Sequence, residues 1–182
     1  MKKIAVLFSG TGTNFAYIVK HLHNKELEVV VALTNNPEAK GCDVAKKAGI
    51  PLEVVRPDDF ESREVFDAEV VRRLSPYEPA LTVLAGFMRI LTPVFTEQIR
   101  AINLHPSLLP RHKGLHAIER SYEDEHPNGG VSVHWVTSEL DGGEVIVQKS
   151  IAKDGLSLDA YRQRVREIEK EALAEAIRKV LV

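Results

Sequence analysis

The chain has 182 residues, of which 44% are hydrophobic and 27% charged, with a formal net charge of −2 at pH 7. These values predict one compact domain with a sizeable core, and they exclude the basic surface that nucleic acid or an anionic membrane requires. The single cysteine, Cys42, excludes an internal disulfide, and no apolar run is long enough for a secretion signal or a membrane span. We therefore expect a cytoplasmic protein with neither nucleic-acid nor membrane partners.

The first hundred residues alternate strand patterns with helix patterns. A continuous apolar run at 4–8 and two mostly apolar runs at 28–33 and 80–85 predict strands that are buried on both faces. Helical spacing or helix signals predict helices at 13–23, 41–48 and 62–74. One further short strand is expected at 52–55. This alternation predicts βαβ units, hence an α/β, Rossmann-like, mostly parallel twisted sheet with helices on both faces.

The pattern changes after a short strand that ends at His105. Residues 111–130 are polar, with a helix expected near 115–124. Two later runs, at 131–136 and 145–151, predict an antiparallel pair of strands. Ser157 begins an amphipathic C-terminal helix. We expect a single domain over 1–182, made of two halves, 1–100 and 101–182.

A glycine-rich loop, Ser-Gly-Thr-Gly-Thr-Asn at 9–14, separates the first strand from the first helix. Gly12 leaves the backbone N–H groups unobstructed, Thr13 and Asn14 add side-chain donors, and the helix N-terminus adds positive partial charge. Phe15 occupies the position of the third glycine in a dinucleotide motif. A bound monophosphate is therefore favoured over a dinucleotide or a plain glycine turn.

Asn103 and His105 form the second candidate site. They lie two residues apart, so on a strand their side chains leave the same face, and Pro106 ends that strand. An amide and an imidazole aimed at one point can polarise a carbonyl, hold an oxyanion and pass a proton. A histidine at such a position is more often simply a satisfied polar residue, but the paired amide favours catalysis.

Asp141 lies in the segment Glu-Leu-Asp-Gly-Gly at 139–143. It could face His105, where its charge would raise the pKa of the imidazole. A plain hairpin turn at Asp-Gly-Gly is an equally good interpretation.

Two further groups have weaker signals. His112 and His116 could join His105 around a metal, but no neighbouring cysteine or carboxylate completes such a site, so no metal is expected. Residues 86–91, Gly-Phe-Met-Arg-Ile-Leu, follow a buried strand and predict either core with one solvated arginine or an apolar slot for a flat ligand.

Together these segments resemble the phosphoribosylglycinamide formyltransferases, folate-dependent enzymes of purine synthesis that have the formyltransferase fold. The resemblance covers nearly the whole chain, and its most distinctive segments are 9–14, 85–91, 103–110, 114–116 and 139–143. It implies that 1–100 is a phosphate-binding half, that 101–182 is a catalytic and folate-binding half, and that Asn103, His105 and Asp141 are catalytic. It also implies a ribonucleotide-binding set consisting of Gly12, Thr13, Asn14, Arg166 and Glu169. The implied folate-binding set is Arg63, Met88, Arg89, Ile90, Leu91, Asn103, Thr137, Ser138, Glu139, Leu140 and Asp141.

The resemblance further implies the reaction. The amine of 5′-phosphoribosylglycinamide would attack the formyl carbon of 10-formyltetrahydrofolate, a cosubstrate used without metal. Asn103 and protonated His105 would stabilise the oxyanion, and Asp141 would assist proton transfer. The enzyme would be a monomer or a homodimer.

Three alternatives stay open. Formyltetrahydrofolate hydrolase carries an added N-terminal domain, and methionyl-tRNA formyltransferase carries an added C-terminal barrel with a basic surface; neither addition is expected here. A non-catalytic nucleotide sensor would keep the loop at 9–14 without needing Asn103, His105 and Asp141.

Overall fold

A computed structural model describes residues 1–182. It contains seven strands and six helices, with single 3₁₀ turns at Pro57–Asp59 and Ser75–Tyr77. In chain order the elements are β1 (Lys2–Phe8), α1 (Thr13–His21), β2 (Leu27–Thr34), α2 (Gly41–Ala48), β3 (Leu52–Val54), α3 (Arg63–Leu74), β4 (Leu81–Leu84), α4 (Pro93–Thr96), β5 (Ala101–His105), α5 (Ala117–Glu123), β6 (Asn128–Trp135), β7 (Val145–Ala152) and α6 (Leu158–Leu181).

The seven strands form one sheet in the order β3-β2-β1-β4-β5-β6-β7. The pairs β1–β2, β1–β4, β2–β3 and β4–β5 are parallel, whereas β6 and β7 are antiparallel. The predicted α/β class, the mostly parallel sheet and the antiparallel pair are therefore confirmed. Strand β5 pairs Asn103 with Leu84 of β4, which places Asn103 near the carboxyl ends of both strands.

The chain forms two compact units. One contains Met1–Asn103 together with Leu181, and the other contains Leu104–Val180 together with Val182. Strands β1, β2 and β4 contribute apolar side chains to the core of the first unit, as expected for parallel strands buried on both faces, whereas the residues of β3 are only half-buried. In the second unit the core is formed by β6, β7 and the inward face of α6, with the completely buried Tyr161 as its largest side chain.

Two helices begin where the sequence predicted, because a serine side chain caps each of them. The hydroxyl of Ser62 accepts the N–H of Val65 at the start of α3, and Ser157 does the same for Ala160 at the start of α6. Each cap satisfies a backbone donor that the helix leaves without a partner and contributes about 1 kcal/mol.

The structure differs from the predicted elements at several boundaries. Helix α4 was missed, since four residues are too few to show helical periodicity. Helix α5 begins at Ala117 because Gly114 and His116 adopt left-handed backbone angles, with φ of 82° and 58°. Strand β6 begins at Asn128, whereas the sequence predicted a strand start at 131. None of the helices combines the length and the apolar composition needed to cross a membrane.

Candidate active site

The glycine-rich loop lies in the first unit, between the end of β1 and the start of α1. Gly12 has φ of 70°, and a Cβ atom placed on it would lie 2.5 Å from the Cα of Gly41. Only glycine fits this position, because any side chain would meet both the strained angle and the neighbouring backbone. Thr13 is exposed and Asn14 is half-buried at the first turn of α1.

The N-terminus of α1 is suited to an anion. No side chain caps it, and its first turn contains no acidic residue. The first N–H groups of an α-helix have no partner within the helix, and no carboxylate in the first turn opposes the positive end of this helix dipole. These features suit an anion, and phosphate binding at this loop stays a prediction.

Ser9 links this loop to two others in the same unit. Its hydroxyl donates to Oδ1 of Asn35 at 2.6 Å and accepts the N–H of Met88 at 2.8 Å. The ends of β1, β2 and β4 are thus joined through one hydroxyl group. Sequence reasoning treated Ser9 only as part of the glycine motif and did not find this role.

The predicted folate segment at 88–91 exposes apolar side chains on a constrained backbone. Met88 is 68% exposed and Ile90 is 52% exposed. Arg89, half-buried, lies with its guanidinium carbon 4.3 Å from the ring centre of Phe66, and Leu91 is also half-buried. Such exposed side chains can form one wall of a site for a flat ligand.

His105 is buried in the second unit at the end of β5. Its Nε2 atom lies 2.8 Å from the carbonyl oxygen of His112, and its Nδ1 atom lies 3.4 Å from Oδ2 of Asp141. Asp141 therefore faces the imidazole, an arrangement that the residues alone left open and that the family resemblance implied. Both ring nitrogens have a polar neighbour.

Asp141 is buried and has a left-handed φ of 51°. Its Oδ2 accepts the N–H of Gly114 at 2.8 Å, and its Oδ1 lies 3.5 Å from Nε2 of His134. The carboxylate thus stands between two imidazoles. The next turn needs Gly143, since a Cβ there would lie 1.7 Å from the carbonyl oxygen of Trp135.

The pKa values of this pair are both lowered, but for different reasons. Burial lowers the pKa of His105, and although the His112 carbonyl and the charge of Asp141 raise it, the net pKa lies below the ordinary value. Burial raises the pKa of Asp141, but the hydrogen bonds from His134 and Gly114 outweigh it, so the net pKa is lowered. The prediction that His105 has a raised pKa is therefore wrong, although the predicted effect of Asp141 is present.

A charged network anchors the segment that supplies the His112 carbonyl. Oδ2 of Asp124 lies 2.6 Å from Nε2 of His112, and Oδ1 accepts from Nζ of Lys153 at 2.6 Å. Burial raises the pKa of Asp124, but these hydrogen bonds outweigh it and hold the pKa well below the ordinary aspartate range. His112 thus has a carboxylate partner, Asp124, which the sequence did not reveal because the two residues lie 12 positions apart.

The remaining predicted contacts lie on exposed or half-buried surfaces of their units. Asn103 is half-buried on β5, and His105 follows it two residues later on the same strand. Exposed positions hold Arg63, Thr137, Ser138, Glu139, Leu140 and Arg166, whereas Glu169 is half-buried. Lys113 forms an ion pair with Glu139 at 3.5 Å.

Ser107 is buried and its carbonyl accepts the hydroxyl of Ser132 at 2.7 Å, which agrees with a structural role.

Sequence reasoning also missed His134 and Asp67. His134 lies inside the predicted strand at 131–136 and was not singled out, and Asp67 was hidden inside the amphipathic pattern of α3. The one available signal was a titratable residue on the inward face of an element, since such residues are rarely buried without a partner.

Several known proteins are similar to this chain over most of its length. A sequence model of the formyl transferase family matches residues 2–177. Phosphoribosylglycinamide formyltransferase of Escherichia coli (strain K12) is 40% identical over 152 residues, which are 81% of this chain and 72% of that protein. A trifunctional purine biosynthetic protein of Drosophila melanogaster is 38% identical over 97% of this chain, which spans 14% of that protein.

Solved structures have the same fold. The crystal structure of phosphoribosylglycinamide formyltransferase from Campylobacter jejuni superposes with a TM-score of 0.97 at 45% identity, covering 100% of this chain and 98% of that one. Glycinamide ribonucleotide transformylase 1 from Geobacillus kaustophilus superposes with a TM-score of 0.92 at 32% identity over the full length of both chains. This chain is an enzyme of the formyl transferase family, and within that family it belongs to the phosphoribosylglycinamide formyltransferases.

Proposed function

We propose that this enzyme transfers the formyl group of 10-formyltetrahydrofolate to the amine of 5′-phosphoribosylglycinamide by direct attack. The observation that carries the mechanism is the buried pair of His105 and Asp141, with Nδ1 and Oδ2 3.4 Å apart. Asn103 precedes His105 by two residues on β5. This set supplies an amide donor and a proton carrier, which are the two functions that acyl transfer to an amine requires.

The two ends of the ribonucleotide have different requirements. Its phosphate suits Gly12, Thr13 and Asn14, because the uncapped N-terminus of α1 offers N–H groups and positive partial charge. Its remaining contacts are assigned to Arg166 and Glu169. They lie three residues apart on α6 and hence on one side of that helix.

The folate has an apolar, flat pterin and a charged tail. The exposed side chains of Met88 and Ile90 can cover the pterin. Other proposed contacts with the folate come from Arg63, Arg89, Leu91, Asn103, Thr137, Ser138, Glu139, Leu140 and Asp141. The exposed guanidinium of Arg63 suits a carboxylate of the tail.

Catalysis begins with attack of the uncharged amine on the formyl carbon. A carbon–nitrogen bond forms, and the carbonyl oxygen becomes an oxyanion that the amide of Asn103 stabilises. The proton lost by the amine passes to the pair of His105 and Asp141, directly or through water, because the lowered pKa values leave His105 neutral and Asp141 ionised beforehand. The imidazolium then adds positive charge beside the oxyanion.

Collapse of the tetrahedral intermediate completes the transfer. The bond from carbon to N10 of the folate breaks, and the proton held by the pair moves to that departing nitrogen. The products are the formylated ribonucleotide and tetrahydrofolate, and no covalent enzyme intermediate or metal ion is required.

One assay tests this function. The protein is incubated with 10-formyltetrahydrofolate, with and without 5′-phosphoribosylglycinamide, and the release of tetrahydrofolate is followed. Release that depends on the ribonucleotide supports transfer. Release without it would instead indicate a hydrolase, and no release in either case would indicate a non-catalytic nucleotide sensor.

A further inference from the structure

Asp67 is an acidic side chain that the proposed chemistry does not use. It lies on α3 and is 0% exposed. Its Oδ2 atom accepts two hydrogen bonds from Thr92, one from the backbone N–H and one from the hydroxyl, each 2.7 Å long. Its Oδ1 atom is buried without a hydrogen-bond partner. A carboxyl group is costly to bury, so its retention here suggests a role beyond filling the core.

The two bonds hold one end of the segment at 88–92. Arg89 is held separately, since its guanidinium stacks on Phe66, the residue next to Asp67 on α3. The N–H of Met88, at the other end of the segment, donates to the hydroxyl of Ser9 at 2.8 Å. Helix α3 and Ser9 therefore hold this backbone at three points.

The side chains between these points behave differently from the backbone. Met88 is 68% exposed and Ile90 is 52% exposed, although both are large and apolar. A constrained backbone that presents exposed apolar side chains is organised for a ligand before the ligand arrives. Such preorganisation improves affinity because less conformational entropy is lost on binding.

We propose that Asp67 is a positioning residue for the folate: by holding Thr92 it keeps the apolar side chains at 88–91 in place for the pterin. This inference rests on the proposed function, because it takes residues 88–91 as part of the folate site. It assigns no contact between Asp67 and the reacting atoms. A purely structural Asp67 would affect stability and the active fraction, but it would not affect one substrate selectively.

The experiment separates the Michaelis constants of the two substrates. The Asp67→Ala variant removes both bonds to Thr92. We expect its KM for 10-formyltetrahydrofolate to rise by about tenfold, a loss of about 1.4 kcal/mol of binding, while its KM for the ribonucleotide stays within about twofold. Thr92→Val, which removes one bond and keeps the volume, should raise the folate KM by a smaller factor, and Thr92→Ser should restore it.

Leu74→Ala is the matched control. Leu74 lies on the same helix, two turns beyond Asp67, and is completely buried, so its truncation weakens the packing of α3 and leaves the bonds to Thr92 in place. Both KM values should stay unchanged in this variant. If Asp67→Ala or Thr92→Val alters both KM values equally, or lowers only the active fraction, the inference is wrong.

Equilibrium binding separates this inference from the proposed function. Calorimetric titration with tetrahydrofolate alone needs no turnover, and it should show the same tenfold order of loss in Asp67→Ala. If the unmodified enzyme transfers formyl groups, but the Asp67→Ala and Thr92→Val variants bind tetrahydrofolate as tightly as it does, only the inference is overturned. An unmodified enzyme that neither transfers the formyl group nor binds tetrahydrofolate overturns both.

Discussion

The Nε2 atom of His105 lies 2.8 Å from the carbonyl oxygen of His112, and this contact determines which ring nitrogen carries the hydrogen in the neutral side chain. A carbonyl oxygen only accepts hydrogen bonds, so Nε2 carries the hydrogen of neutral His105. The other nitrogen, Nδ1, faces the carboxylate of Asp141. A proton that enters this pair therefore lies between Nδ1 and Oδ2, which is where a transferable proton is needed.

Asp141→Asn should lower both the rate and the pKa of His105. The charge of Asp141 raises the pKa of His105, so its removal leaves the effect of burial less opposed. Neutral His105 is the active form, so the acid limb of kcat/KM against pH should move to lower pH, and the rate should fall by about 10²–10⁴-fold. A limb that stays in place or moves to higher pH would show that the two groups are not coupled. The control is Asp159→Asn, whose side chain is 94% exposed.

His134→Ala should move the acid limb in the opposite direction. The hydrogen bond from His134 lowers the pKa of Asp141, so the alanine variant should raise that pKa. The charge of His134 also lowers the pKa of His105, which sets the acid limb, so the alanine variant should lose activity at a higher pH than the unmodified enzyme as the solution is acidified. The pH profile of kcat/KM measures this, with the exposed His126→Ala as control. A shift to lower pH would refute the role assigned to His134.

Asn103→Ala should reduce turnover with little effect on folding. Loss of one oxyanion donor costs about 2.7–4 kcal/mol of transition-state stabilisation, or about 10²–10³ in kcat. Steady-state kinetics measures the loss, and circular dichroism with thermal unfolding checks that the variant is folded. Turnover close to that of the unmodified enzyme would remove Asn103 from the mechanism.

Asp124→Asn should destabilise the protein in a pH-dependent manner. The folded-state pKa of Asp124 is lowered, so its contribution to stability is present above the ordinary aspartate pKa of about 3.9 and is lost as the pH falls below that value towards the folded pKa. Urea unfolding at pH 7 should show a loss of about 1.5–3 kcal/mol, the value of a hydrogen bond to a charged group. The difference from the unmodified protein should shrink below about pH 4. A difference independent of pH would mean that the charge of Asp124 is not responsible.

Gly12→Ala should impair ribonucleotide binding more than folding alone explains. Gly12 has φ of 70° and its new Cβ would lie 2.5 Å from Gly41, whereas Gly49 has φ of 68° with no atom within 4 Å of a new Cβ. Both variants incur the left-handed backbone cost of about 1–3 kcal/mol, but only Gly12→Ala displaces the loop. The KM for the ribonucleotide should rise in Gly12→Ala and stay unchanged in Gly49→Ala. Equal KM values in the two variants would count against phosphate binding at this loop.

The sequence by itself predicted the elements whose signals are local. The apolar runs of β1, β2 and β4 and the capping serines at 62 and 157 lie within the segments that they define, so no knowledge of distant residues was needed. The functional motifs were also recognisable, because Asn103 and His105 are only two residues apart. The partnership of His105 with Asp141 followed from the motif and its resemblance to the family.

Only the tertiary structure decided what surrounds these groups. Asp67 meets Thr92 across 25 residues of sequence, and Asp141 receives the N–H of Gly114 across 27 residues, so neither contact leaves a local pattern. The direction of the His105 pKa likewise depends on burial, a property of the folded molecule and not of neighbouring residues in the chain. Residue types and spacing therefore determined which chemistry is possible here, while packing determined which proton is held, by which atom, and how firmly the surrounding segments are positioned.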